Sequence, residues 1–137
     1  ALNGALAGLV SITAGPDVAT PLQAIIIGAV GGVLCTLAIP LLDKLKIDDV
    51  VGAISVHLVA GIWGTLVVGI PGLGTLAADF VTQLIGVVTI GVFVVVASSI
   101  VWLILKGVLG LRPTEEEEMS GLDVSELGME AYPEFRN

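Results

Sequence analysis

The chain has 137 residues, of which 55% are hydrophobic and 13% charged, and its mean hydropathy is +1.06. Soluble domains carry about a quarter charged residues, so this composition excludes an ordinary water-soluble domain. A net charge of −8, with no basic aromatic patch, also argues against a nucleic-acid binder.

The charge is unevenly distributed. Residues 1–42 hold one charged side chain, Asp17, and residues 50–105 hold one, Asp79. Residues 112–137 hold seven Glu and one Asp against two Arg, so the acidity belongs to a tail. The sequence carries no Gly-rich phosphate loop, no nucleophile–base set and no cysteine cluster. It therefore points to no enzyme, cofactor or metal site. Cys35 is single, so it has no internal disulfide partner, and it reads as a small packing residue.

Residues 1–13 are apolar but short. At 1.5 Å per residue they reach about 20 Å, against a hydrocarbon core of about 30 Å. They begin without a cap or an initiator methionine and read as the end of a longer helix. A signal peptide needs a basic front and a cleavage site, and neither is present. The stretch "TAGPDVATP" (13–21) then concentrates helix breakers. Thr20 before Pro21 is an N-cap followed by proline at the first helical position. This predicts a spanning helix over 21–42, with Pro40 near its end. Gly4 and Gly8 form one Gly-x-x-x-Gly pair, and Gly28 and Gly32 form another, with Gly31 alongside. That spacing lets two backbones approach closely in lipid.

"DKLKIDD" (43–49) is the charged short loop. Asp48 and Asp49 precede the next predicted span, 50–70, where acidic groups favour the positive end of a helix. Pro71, Gly72 and Gly74 close it. Thr75 is the expected cap of the last span, 76–105, which is longer than a bilayer requires and so is expected to tilt or protrude. Asp79 and Gln83, one turn apart, are expected at the interface or in bonds between helices. Trp63 and Trp102 serve as interface anchors or packing residues.

The five cations are Lys44, Lys46, Lys106, Arg112 and Arg136; loops 14–20 and 71–75 have none. Basic residues favour the cytoplasmic side, so 43–49 and 106–137 are expected to face the cytoplasm. The expected fold is all-α, a polytopic helix bundle in the lipid bilayer of the inner membrane. Residues 1–111 form its membrane part (1–13 partial, 21–42, 50–70 and 76–105). Residues 112–137 form an acidic cytoplasmic tail.

One residue stands out within "VVGAISVHLVAGIWGTLVVGI" (50–70). His57 is the single histidine of the chain, and it lies eight residues after Asp49, about 12 Å along a helix axis. On a regular helix Ala53, His57, Gly61 and Gly64 share one narrow face. Intramembrane ionisable groups are rare and often mark ion or proton pathways. In its neutral form the ring offers one donor and one acceptor, which suits a small polar molecule or a proton. Two readings stay open on these residues: a lining of a tight passage, or a ring satisfied by a neighbouring helix. Asp49 likewise either attracts cations at an inner mouth or caps its helix.

"NGALAGLVSITAG" (3–15), "IDDVVGAISVHLVAGIWGTL" (47–66) and "GLRPTEEEEMSGLDVSELGMEAY" (110–132) together resemble the ammonium transporter family, Amt/MEP, with the distant Rh proteins. The resemblance implies eleven spans per subunit, a homotrimer and a narrow pore in each subunit. On that pattern this chain holds the end of the eighth span, the last three spans and the tail, with the N-terminal helices lying outside it. His57 matches the second of the family's paired pore histidines, with Ala53 beside it, and Asp49 matches an acidic position near the cytoplasmic mouth. A further aspartate of some bacterial members is Gly52 here. The resemblance also implies that ammonium sheds its proton on entering a hydrophobic pore and that ammonia passes the histidines. In the tail it marks Gly110, Arg112, Gly121, Asp123 and Tyr132, and it implies a PII signal protein as a partner at the cytoplasmic face. An Amt-like ammonium sensor is the runner-up. A sensor usually carries an appended signalling domain, and the end of the chain soon after the tail motif favours the transporter.

Overall fold

The structure, a computed structural model, describes residues 2–16, 20–73, 78–131 and 133–135. In chain order it has α1 (Leu2–Ile12), α2 (Pro21–Lys44), a π-helical segment (Ala53–Val59), α3 (Ala60–Val67), α4 (Phe80–Val108), α5 (Glu115–Ser120), α6 (Leu122–Leu127) and a 3₁₀ turn (Pro133–Phe135). No strand occurs among the described residues. The chain divides into two units, Ala1–Val92 and Phe93–Asn137, with α4 contributing to both.

α2 and α4 are long and apolar enough to cross a membrane, whereas Leu2–Ile12 and Ala53–Val67 are shorter apolar helices. α2 starts as its sequence requires. The Thr20 hydroxyl accepts from the Gln23 N–H at 3.3 Å, and the Gln23 Oε1 accepts from the Thr20 N–H at 2.8 Å. This reciprocal pair satisfies two orphan donors of the first turn. The Gln23 Nε2 also donates to the Gly72 carbonyl at 2.6 Å, which ties the start of α2 to the turn after α3. Pro40 lies inside α2, where its missing N–H leaves the Thr36 carbonyl without its usual intrahelical donor.

α2 runs two residues beyond the expected Leu42 and ends in a left-handed cap at Lys46, φ +57. The Ile47 N–H donates to Leu42 O and the Lys46 N–H to Asp43 O, both at 3.0 Å. That pattern normally selects glycine at the left-handed position.

α1 and α2 pack antiparallel through their glycines. A Cβ on Gly8 would lie 3.3 Å from Gly28 O, and one on Gly32 would lie 3.2 Å from Gly4 O. The core contains Ala7, Cys35, Val56 and Ala60, with Val10 against it. Ser11 is buried at the centre of the three-helix junction and donates to Ala7 O at 2.7 Å. Gly31 of α2 and Gly64 of α3 both close onto Ser11. Trp63 Nε1 adds a bond from α3 to Ile27 O of α2 at 3.0 Å. Cys35 is buried, as its reading as a packing residue requires.

Two expected spans differ in extent. The span 50–70 is helical over 53–67. At its front the chain turns through Gly52 (φ +74), and at its rear Gly69 and Ile70 donate to Leu66 O and Val67 O in tight turns. The backbone of Gly69 lies against Phe80, with only 2.5 Å from its Cβ position to Phe80 N, so no further helical turn fits. The helix of the last span runs from Phe80 to Val108, three residues past the expected 105; 78 and 79 at its front are not helical, and 76 and 77 lie outside the described residues. Its cap is Asp79, whose Oδ2 accepts from the Thr82 N–H at 3.0 Å and the Thr82 hydroxyl at 3.2 Å. Thr75, the expected cap, lies outside the described residues. None of the residues of α4 is buried.

Candidate functional site

The His57 segment is built on Asp49. One carboxylate oxygen, Oδ1, accepts from the Ile54 N–H at 2.9 Å. The other, Oδ2, accepts from the Ser55 N–H and the Ser55 hydroxyl, each at 2.8 Å. These bonds hold the Asp49 carboxyl below its usual pKa, the Ile54 amide having the largest effect and the Ser55 amide the next. Of the two readings of Asp49, capping is the one its hydrogen bonds display.

The left-handed turn at Gly52 follows. A Cβ there would meet Val56 Cγ2 at 2.8 Å, and φ +74 disfavours any side chain. The Gly52 carbonyl accepts from the Val56 N–H at 2.9 Å and from the His57 N–H at 3.3 Å. The second bond is the five-residue step of a π-helix, which occurs mostly as single turns and frequently at functional sites.

This step corrects the expected face. More residues per turn mean that positions four apart no longer stack. Gly64 is buried against Ser11, Gly61 is half-buried, and His57 and Ala53 are exposed. Ala53 and His57 are each exposed, while Gly64 belongs to the packing of α1, α2 and α3. The His57 ring has no hydrogen-bond partner among the described residues. Of the two readings of that ring, satisfaction by a neighbouring helix is not realised among these residues.

The tail has its own order. Gly110 turns left-handed at φ +74 just after α4. Thr114 and Glu117 form a capping box: the Thr114 hydroxyl accepts from the Glu117 N–H at 3.3 Å, and Glu117 Oε2 accepts from the Thr114 N–H at 2.8 Å. Arg112 meets Glu118 in a bidentate pair, 2.9 and 3.1 Å. Asp123 Oδ2 reaches forward to accept from the Ala131 N–H at 2.8 Å, and its Oδ1 accepts from the Val124 N–H at 3.0 Å. Gly121, φ +95, brings the chain so close that a Cβ would lie 2.7 Å from Asp123 Oδ1.

Asp123 and Glu117 are held below their usual pKa, led by the Ala131 and Thr114 amides respectively, and Arg112 is pushed up by its bond to Glu118. Gly110, Arg112, Glu117, Leu122 and Ser125 line a cavity of about 270 Å³. Four of the five tail residues singled out by sequence thus have structural roles, and Tyr132 lies outside the described residues. Gly52 and Ser55, which shape the turn around His57, carry no signal in hydropathy or spacing.

Apolar helices packed through glycine and serine, one polar ring on an apolar segment and a capped acidic tail define a piece of a membrane helix bundle. Sequence comparison gives the class its name. The chain belongs to the ammonium transporter family: the sequence model described as Ammonium Transporter Family matches residues 1–132. Ammonium transporter Amt1 of Haloferax mediterranei is 42% identical over 135 residues, covering 97% of this chain and 26% of the relative. Ammonium transporter Amt2 of Methanocaldococcus jannaschii is 38% identical over 141 residues, covering 96% of the chain and 33% of the relative. Ammonium transporter Amt2 of Archaeoglobus fulgidus is 37% identical over 150 residues, covering 97% and 32%. The chain thus spans between a quarter and a third of the length of these curated relatives. The family is one of membrane transporters and not of enzymes.

Proposed function

We propose that this chain is the C-terminal part of an ammonium transporter that carries ammonium or ammonia across the cytoplasmic membrane. Residues 112–137 lie on the cytoplasmic side, and the complete protein assembles as a homotrimer with one pore per subunit. His57 is one of a pair of pore histidines, with Ala53 beside it and Asp49 near the cytoplasmic end of the passage. The tail residues Gly110, Arg112, Gly121, Asp123 and Tyr132 form a regulatory surface that a PII-type signal protein engages.

One observation carries the reading of the pore. The His57 ring stands exposed on an apolar segment, without a hydrogen-bond partner among the described residues. A polar ring in that setting costs free energy unless something satisfies it. A second imidazole and a travelling amine do so. Bare ammonium entering hydrocarbon suffers a large desolvation cost, and releasing a proton removes the charge. Potassium has no proton to release, so a dry passage bordered by imidazole selects against it.

The test is methylammonium uptake by cells expressing the complete parent protein, with and without His57→Ala. The expected result is a loss of uptake or a loss of selectivity over potassium. Unchanged uptake and selectivity would overturn the pore role. A parent that binds ammonium yet carries no methylammonium would favour the sensor.

A further inference from the structure

Three donors converge on one carboxylate at the base of the His57 segment. Asp49 accepts from the Ile54 N–H, the Ser55 N–H and the Ser55 hydroxyl, at 2.9, 2.8 and 2.8 Å. An ordinary N-cap reaches the second or third residue of its helix. Asp49 reaches five and six residues ahead, across the left-handed turn at Gly52. Ser55, at 1% exposure, is one of the two buried polar residues among the described residues, and its hydroxyl is oriented by this carboxylate. The next two N–H groups, of Val56 and His57, share the Gly52 carbonyl at 2.9 and 3.3 Å. The five-residue step that aims His57 outward therefore begins where Asp49 and Ser55 pin the chain. An ionised carboxylate has about four lone-pair sites, and three of them are taken here. Little is left to hold a passing cation.

We propose that Asp49 is a positioning residue: through Ser55 it fixes the wide turn that aims the His57 ring, and it does not collect cations at an inner mouth. The inference rests on the reading of His57 as a pore residue. A carboxylate that collects cations changes the local substrate concentration and so moves KM in a salt-dependent way. A carboxylate that positions a ring changes the rate of passage at saturating substrate.

The experiment measures saturable methylammonium uptake and potassium leak in the complete transporter, for wild type, Asp49→Ala, Asp49→Asn, Ser55→Ala and His57→Ala. Amide hydrogen exchange over 53–59 is followed in parallel. Asp49→Ala is expected to lower Vmax by about tenfold to a hundredfold, the scale set by ångström-level misplacement, with KM nearly unchanged. Asp49→Asn has no charge but keeps an acceptor for the Ile54 N–H, and its Vmax is expected to fall between those of wild type and Asp49→Ala. Ser55→Ala removes only the hydroxyl donor and gives a smaller loss. It keeps the test decisive if Asp49→Ala fails to fold. Exchange at Ile54 and Ser55 is expected to accelerate in Asp49→Ala while α2 stays protected. A raised, salt-sensitive KM at wild-type Vmax, equal in Asp49→Ala and Asp49→Asn, would overturn the inference and leave the pore reading intact. Normal uptake in His57→Ala would overturn both.

Discussion

The junction around Ser11 gives a test with an internal control. A Cβ on Gly31 would overlap the Ser11 hydroxyl and lie 2.8 Å from Ser11 Cβ. A Cβ on Gly64 would overlap the Ser11 carbonyl oxygen and lie 3.0 Å from Ser11 C and 3.1 Å from its Cα. Overpacking a tight contact costs about 1–3 kcal/mol. Alanine in a helix gains about 1 kcal/mol over glycine. At Gly86, where a Cβ meets nothing within 4 Å among the described residues, only the gain applies, so Gly86→Ala is expected to be neutral or stabilising. At Gly31 and Gly64 the clash opposes the gain, and each alanine variant is expected to lose up to about 2 kcal/mol. The two clashes differ in what they strike. Measured relative to Ser11→Gly alone, Gly31→Ala is expected to lose less, because the Ser11 hydroxyl and Cβ are gone and the Ala7 carbonyl oxygen at 3.1 Å remains. Ser11→Gly does nothing for Gly64→Ala, which strikes Ser11 backbone. The assay is reversible unfolding of the detergent-solubilised complete protein in a denaturing-detergent titration. Rescue of Gly64→Ala, or no rescue of Gly31→Ala, would refute this packing.

Two further outcomes follow from the caps. Asp123 and Glu117 titrate below their usual values in the folded tail, so their contribution to its order is fully present above about pH 4, their ordinary range. It is lost as pH falls through the lowered values. Limited proteolysis of residues 110–131 against pH is expected to show protection above that range and release below it, and Asp123→Ala should be cut readily throughout. Lys46 occupies a left-handed position at φ +57. Lys46→Gly is expected to raise stability by about 1 kcal/mol in the same unfolding titration, since only glycine adopts that conformation without penalty.

Much of the bundle was legible in the sequence because its signals are local. Thr20, Pro21 and Gln23 stand at the spacing of a capped helix start. The Gly4/Gly8 and Gly28/Gly32 pairs meet across α1 and α2 because glycine is the residue that lets backbones touch. The turn at His57 was not legible. Hydropathy reports apolar length and does not register a change from a four-residue to a five-residue step, so Ala53, His57, Gly61 and Gly64 were expected on one face and are divided. Asp49, Gly52 and Ser55 build the turn, but a contact from 49 to 55 has no meaning in a regular period. Asp79 was expected at the interface or between helices. Its short carboxylate caps α4, because Thr82 lies three residues ahead. Boundaries shifted where closure is tertiary, as at Gly69 against Phe80.

The most direct measurement is an experimental map of the complete transporter in lipid at side-chain detail. The account predicts the His57 ring facing a second imidazole across a narrow, water-poor passage, with Asp49 bonded to Ile54 and Ser55 beneath it. A ring packed against acyl chains, away from any passage, would contradict it.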